Sequence, residues 1–394
     1  MAVSVSVSAS SAIQLAPVSS GADLREFVEL PFRIYLGDPS WVPPLRSDVR
    51  WMVDPKKNPL WQHARRELFL ARRNGRVVGR VAAIVDDSHN VVHGDRTAFF
   101  GFFECENDPE AAAALLNAAE GWVRVAFPAC DKLRGPVNPS MNDEVGALVP
   151  TESEPGPPMI MMTYNPGWYL DLFAEAGFRK EKDVVAILAP VLDHSGDRLG
   201  RVAQAVLKRN PSLRVRTIRM NRFAEELATV KDLYNRAWEK NWGFVPMTSA
   251  EIDAMAKKLK PILYPPYVWF AEMDGKPAAF MLGMPDFNQV LRKLGGSLLP
   301  FGWLKFLLEK RKIDQVRLMA FGVLPEFRKR GIDAVLYYLS MQEGVKAGAK
   351  RAEFSWMLED NEAILKDLEV FGGKIYRRYR LVCRPVPINT ATRS

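Results

Sequence analysis

Three basic residues and a glycine stand where a strand-like run gives way to a helix-like one. The apolar run Val316-Arg317-Leu318-Met319-Ala320-Phe321-Gly322-Val323-Leu324-Pro325 is followed by Glu326-Phe327-Arg328-Lys329-Arg330-Gly331. Ile332-Asp333-Ala334-Val335-Leu336 and Leu339 come next at helical spacing. A strand-to-helix turn leaves backbone N–H groups without partners, and with the helix dipole they favour a bound anion. Arg328, Lys329 and Arg330 add charge, so a diphosphate is a natural guest. A solvated basic turn is the plainer reading of the same residues. Metal chemistry is not expected. His63, His89, His93 and His194 are scattered, the His89/His93 pair lacks the flanking Glu of a zinc-protease helix, and Gly94 points to a loop there. Cys105, Cys130 and Cys383 make neither a disulfide framework nor a paired metal spacing, which suggests a reducing, cytoplasmic setting.

The elements around this turn occur twice. Tyr35, Trp41, Val42 and Pro43 return as Trp238, Trp242, Val245 and Pro246; Leu70-Ala71 before Asn74-Gly75 returns as Phe270-Ala271 before Asp274-Gly275; Asp86 returns as Asp286. Each hairpin reads as strand, Asn-Gly or Asp-Gly turn, strand. Each copy closes on a short helix with an Asn start and a Gly stop. The first begins at Asn165, with Gly177 after it; the second begins at Asn361, with Gly372 after it. Strands follow at 183–188 and 379–383. The reading is therefore a disordered tail over 1–12, a first domain over 13–192, a linker helix within 193–211 and a second domain over 212–388. The low-complexity Val-Ser start has no basic n-region of a signal peptide.

The chain has 394 residues, 48% of them hydrophobic and 25% charged, a globular balance that excludes wholesale disorder. Its 54 Lys+Arg against 46 Asp+Glu give a net charge of +8, suited to anionic partners without choosing among them. Residues 298–312 run apolar and then basic, with Leu304, Leu307 and Leu308 on one helical face and Phe301, Trp303 and Phe306 widening it. A packed connector is the plainer reading; contact with a membrane surface or an acyl chain is the other. No stretch approaches the ~20 apolar residues of a membrane span.

With Val323, Pro325, Arg328 and Gly331 in place, the second half resembles the GNAT acyltransferase superfamily. Its pyrophosphate loop follows a V-x-P strand end with the pattern [QR]-x-x-G-x-[GA]; here Asp333 occupies the last position. The resemblance covers residues 212–384 well and 13–192 more weakly, because Ala98-Phe99-Phe100-Gly101-Phe102-Phe103-Glu104 stands where a first-half loop would be. It implies an α/β (α+β) fold of two tandem GNAT-like domains, each a mixed, mostly antiparallel sheet flanked by helices, the first having lost its cofactor. It also implies an acyl-CoA co-substrate, chiefly acetyl-CoA, held by Phe321, Gly322, Val323, Arg328, Lys329, Arg330, Gly331, Ile332, Asp333 and Asn361. The reaction implied is direct attack by an amine on the thioester. Leu368 and Phe173 stand where the family's Tyr acid would be, which leaves water or Tyr337, Tyr338 or Tyr376 to protonate the thiolate. For the base the candidates are Glu359, then Glu353 and Asp286, although the recurrence of Asp286 as Asp86 also fits a shared turn role. Trp238, Trp242 and Phe244 either shape an acceptor pocket or pack between the halves; Asn142-Asp143-Glu144 reads as a loop turn.

The expected protein is thus a cytoplasmic transferase acting on a small-molecule or peptide amine. Two rivals are an inert CoA-binding or regulatory protein and an aminoacyl-tRNA-dependent transferase, which only the basic charge supports; DNA is not expected.

Overall fold

The computed structural model describes residues 12–151, 156–194, 196–370 and 372–387, and the expected tail at 1–12 falls outside them except for its last residue. The first half runs β1 (Gln14–Pro17), α1 (Gly21–Ile34), α2 (Arg46–Val53), β2 (Ala64–Arg73), β3 (Arg76–Asp86), α3 (Asp87–His93), β4 (Thr97–Cys105), α4 (Pro109–Ala126) and β5 (Lys132–Gly135). It continues through the short strands β6 (Val137–Asn138), β7 (Glu144–Val145) and β8 (Ala147–Leu148) to α5 (Tyr169–Glu175) and β9 (Arg179–Pro190). The second half runs α6 (Arg198–Arg209), β10 (Leu213–Thr217), α7 (Phe223–Trp238), α8 (Ser249–Leu259), β11 (Val268–Met273), β12 (Lys276–Pro285), α9 (Asn288–Leu291) and α10 (Gly302–Glu309). It ends with β13 (Gln315–Val323), α11 (Ile332–Lys346), β14 (Arg351–Leu358), α12 (Glu362–Val370) and β15 (Lys374–Pro385).

Both expected hairpins form. Asn74 and Gly75 (φ 53° and 75°) join β2 to β3, and Asp274 and Gly275 (φ 53° and 74°) join β11 to β12. Two successive left-handed residues are the signature of the type I′ turn, whose twist matches that of the flanking strands. The closing helices differ from each other. Asn361 directly precedes α12, and its carbonyl accepts from Leu365 N at 3.2 Å. Asn165 does not start α5: its amide is turned onto β8, accepting from Leu148 N at 2.5 Å, because Pro166 and Gly167 separate it from the helix. The expected loop at Gly94 is also corrected. His89 and His93 lie on α3, with Gly94 at φ 62° ending the helix rather than precluding it.

One sheet runs through both halves, in the order β1-β2-β3-β4-β5-β15-β9-β14-β13-β12-β11-β10. The last strand of each half is exchanged: β15 pairs with β5 of the first half, and β9 pairs with β14 of the second. The seam in sequence near residue 200 is therefore not a seam in space. Because both halves repeat one pattern, each closing strand finds an equivalent edge in the other copy. Asp183, buried on β9, sits opposite Arg380 of β15 and receives its guanidinium at 2.9 and 3.0 Å. The linker helix α6, capped by Asp197, packs along α11.

Candidate active site

Each half contains one pair of parallel neighbours, and both pairs splay. The β4–β5 ladder ends at Phe99–Arg134 and the β13–β14 ladder at Leu318–Phe354. In the first half the opening is plugged. β6 crosses it so closely that a Cβ on Gly101 would lie 1.6 Å from the Val137 carbonyl oxygen, and Phe102 N donates to Asn138 Oδ1 at 2.6 Å. Deeper in, Glu104 is held by the hydroxyls of Tyr35 and Tyr169 at 2.8 and 2.7 Å, with Arg80 at 3.6 Å. Beyond Leu318 and Phe354 no register pair joins β13 to β14, so the β14-facing edge of residues 319–323 is left to other partners.

The helix starts beside the two openings carry opposite charge. At α4, Asp108 caps the helix and accepts from Ala111 N at 3.1 Å, with Glu106 and Glu110 nearby and Arg73 paired to Asp108 and Glu110. An anion is excluded there by carboxylates already in its place. At α11 no side chain caps the first turn, and Arg328, Lys329 and Arg330 precede it, all exposed. Gly331 stands at φ 77°, where a Cβ would meet Val206 of α6 at 2.5 Å, so this glycine serves both the left-handed turn and the packing of the linker helix. Arg328 is structural in part, donating to the carbonyls of Val323 at 3.1 Å and Ala237 at 2.9 Å. Arg330 lies over the Phe327 ring with Nη1 3.1 Å from Met273 Sδ. Asp333 is exposed in the first turn and does not fold back as a cap. Ile332 is buried; Phe321 packs on Tyr337; Gly322 sits against Ala237. An uncapped, basic helix start beside an open strand pair fits a diphosphate-bearing thioester.

On the other face of the sheet, at the point where β13 and β14 part, lies a buried polar constellation. Glu353 and Ser355 flank Phe354, the last residue of β14 paired to β13. Ser355 Oγ donates to Glu353 Oε1 at 2.7 Å and accepts from Arg317 Nε at 2.9 Å, and Tyr376 donates to the other Glu353 oxygen. Arg317 Nη1 also donates to the carbonyls of Ile160 and Met161 at 2.6 and 2.8 Å. Asp286, at the end of β12, accepts on Oδ1 from Ile160 N at 2.9 Å and Asn288 N at 3.2 Å. Burial pushes its carboxyl up to about 7, with the amides and Arg317 opposing and Glu353 adding to the rise. Burial also pushes Glu144 of β7 up to about 7 and Asp143 up to about 6. Ile160, Met161, Met284, Met319, Phe287 and Phe306 make an apolar cluster beside Asp286.

The other expected site residues have different surroundings. Glu359 accepts on Oε2 from Lys180 Nζ at 2.7 Å and on Oε1 from Asp183 N at 3.0 Å; burial works against its charge, but these bonds hold it below the usual carboxylate range. Trp238 packs on Tyr234 and Phe280, with ring centroids 4.6 and 5.5 Å away. Trp242 lies 5.2 Å from the Arg134 guanidinium, and the Phe244 carbonyl accepts from His93 at 2.9 Å, so this segment packs across the halves. Leu368 and Phe173 are buried in the core. Asp86 and Asp286 do share a turn role, each accepting from the amide two residues on. Among the described residues no cluster of His, Cys, Asp and Glu could hold a metal ion. Arg317 and Ser355 escaped the sequence reading. Their signal was there: a lone arginine inside an apolar strand requires a buried acceptor.

Two splayed parallel pairs in one exchanged sheet make this a tandem GNAT fold. A tandem GNAT protein from the clavulanic acid biosynthesis pathway superimposes with a TM-score of 0.57 at 13% identity, over 95% of this chain and 99% of that one. The GCN5-related N-acetyltransferase from Sphaerobacter thermophilus gives 0.51 at 12% identity, over 95% and 96%. No family model matches the chain. Among curated proteins, it is 36% identical over 378 residues to the bacterial ceramide synthase of Caulobacter vibrioides (strain NA1000 / CB15N), covering 94% of this chain and 96% of that protein. It is 33% identical over 366 residues to protein YghO of Escherichia coli (strain K12), covering 91% and 92%. The chain belongs to the family these two proteins represent, and its fold is the tandem GNAT fold.

Proposed function

We propose that the second half transfers a long-chain acyl group from acyl-CoA to the amine of a lipid-like acceptor. The observation that carries this reading is the contrast between the two partings: β4–β5 is plugged and carboxylate-flanked, whereas β13–β14 parts beside an uncapped basic helix start. Acyl-CoA supplies the thioester. The unpaired edge of residues 319–323 supplies N–H donors for its carbonyl oxygen, and Lys329, Arg330 and the first turn of α11 take the diphosphate. Asp286, with a carboxyl titrating near neutrality, removes the proton from the acceptor ammonium. Ser355, held by Glu353 beside Tyr376, is the hydroxyl placed where the strands part and relays to the sulfur the proton that the attacking nitrogen loses as the amide forms. Glu359, first choice from the sequence, has both oxygens committed to holding β9.

The acyl length and acceptor class rest on two supports: the name of the Caulobacter relative, a ceramide synthase, and the apolar cluster of Met, Phe, Ile and Leu side chains beside Asp286. This replaces the acetyl group favoured on resemblance alone. The buried Leu368, in place of an acid, favours the inert ligand-binding reading, and thiol release separates the two. The test of the donor site is thermal stabilisation by palmitoyl-CoA in wild type and in Lys329→Glu/Arg330→Glu. Stabilisation by saturating ligand at 100 Kd is worth about 2.7 kcal/mol; it should vanish in the double variant, and no response in wild type contradicts the site.

A further inference from the structure

Residues 298–308 expose a row of large apolar side chains that the rest of the molecule leaves uncovered. Leu299 is 77% exposed, Phe301 76%, Leu308 66% and Trp303 50%; Leu304 and Leu307 are also exposed. They are ordered, not loose. Phe306 stacks on Phe287 at 5.4 Å, Trp303 Nε1 donates to the Pro300 carbonyl at 3.0 Å, and Lys305 Nζ donates to the Lys293 carbonyl at 2.8 Å. Cations surround this surface. Arg292, Lys293, Lys305, Lys310, Arg311 and Lys312 flank it, and Glu309, the lone carboxylate within α10 and the turn after it, is spent on Lys293 and Lys312 at 2.5 and 2.8 Å. No helix among the described residues is long and apolar enough to cross a membrane, so this segment is not part of a span.

We infer that α10 and the turn before it form an interfacial anchor that seats the protein on an anionic lipid surface. The charge pattern selects that occupant. A second copy of the chain would bring six cations against six, whereas an anionic bilayer accepts the apolar row below its headgroups and neutralises the lysines and arginines at their level. A tryptophan at the rim and basic side chains that can extend toward headgroups suit the same depth. Phe306 and Phe287 connect the anchor inward to Ile160, whose amide binds Asp286. The anchoring itself stands apart from the proposed reaction, because it is read by binding alone.

The test is flotation of the full chain with vesicles of phosphatidylcholine alone or containing 30% phosphatidylglycerol, at low and high salt. Wild type should float with the anionic vesicles at least ~10-fold more than with the neutral ones, and lose most of that binding in high salt. Phe301→Glu/Leu308→Glu should abolish flotation, and Lys310→Glu/Arg311→Glu should weaken it by ~10-fold or more, both keeping the melting temperature of wild type because the altered side chains are exposed. Equal binding to both vesicle types, undiminished binding of the apolar variant, or a wild-type dimer that the apolar variant dissociates in the absence of vesicle binding would each overturn the anchor.

Discussion

Arg317 Nε donates to Ser355 Oγ across 2.9 Å, and this bond ties β13 to β14 at the point where their ladder ends. The same guanidinium holds the Ile160 and Met161 carbonyls, so the constellation and the apolar cluster are assembled together.

Removing Arg317 leaves Glu353 buried without its cation. Arg317→Ala is expected to cost about 3–5 kcal/mol of stability, the usual penalty for breaking a buried pair. Ser355→Ala should cost less, about 1–3 kcal/mol, while lowering turnover more than it raises KM. Urea denaturation with steady-state kinetics on both variants checks the ranking.

Asp286 gives a pH signature. Its folded-state pKa of about 7 lies above the ordinary 3.8, so its contribution to stability is fully present below the unfolded value and is lost as pH rises through about 7. Activity runs the other way, because the base form appears over the same range. The acid limb of kcat/KM should have a midpoint near 7 and disappear in Asp286→Asn, which should lose ~10²–10⁴-fold in rate. A pH-rate profile of the two proteins measures it.

Much of the fold around this candidate site was legible beforehand, and what was not legible shares a cause. The basic turn, Gly331 and both hairpins follow from local pattern, since a strand-to-helix turn or an Asp-Gly pair carries its own geometry. Glu353 and Asp286 were candidates by residue type, but nothing local says that Arg317 and Ser355 join Glu353 where two strands part, or that Ile160 of the first half meets Asp286. Glu359 misled for the same reason: its partners Lys180 and Asp183 lie on β9, and only the strand exchange brings β9 beside β14.

That exchange has its own consequence. Residues 1–192 lack the strand that covers β5, and residues 193–394 lack the strand that covers β14. Expressed separately, each half is expected to be insoluble or unfolded, with exposed strand edges; co-expression should recover a soluble pair. Circular dichroism and size exclusion on the two halves, alone and together, decide it.

His63 ties the halves from the side. Its Nδ1 meets Asp86 at 2.9 Å and its Nε2 meets Glu251 of α8 at 3.3 Å, and these hydrogen bonds raise its pKa to about 10 against the opposing effect of burial. The stability it contributes is complete below about 6.5 and lost as pH rises through about 10. His63→Gln should therefore destabilise at pH 7 by about 1.5–3 kcal/mol, the worth of hydrogen bonds to charged groups, and by much less at pH 10.5. Thermal melts at the two pH values give the difference.

The most direct test is thiol release from palmitoyl-CoA, with and without a long-chain amino alcohol, in wild type, Asp286→Asn and Lys329→Glu/Arg330→Glu. The expected result is release that depends on the amine in wild type, falls at least ~10²-fold in Asp286→Asn with palmitoyl-CoA still bound, and fails in the basic-turn variant through lost binding. Acyl-CoA binding without amine-dependent release in wild type, or full activity in Asp286→Asn, would contradict acyl transfer at this site.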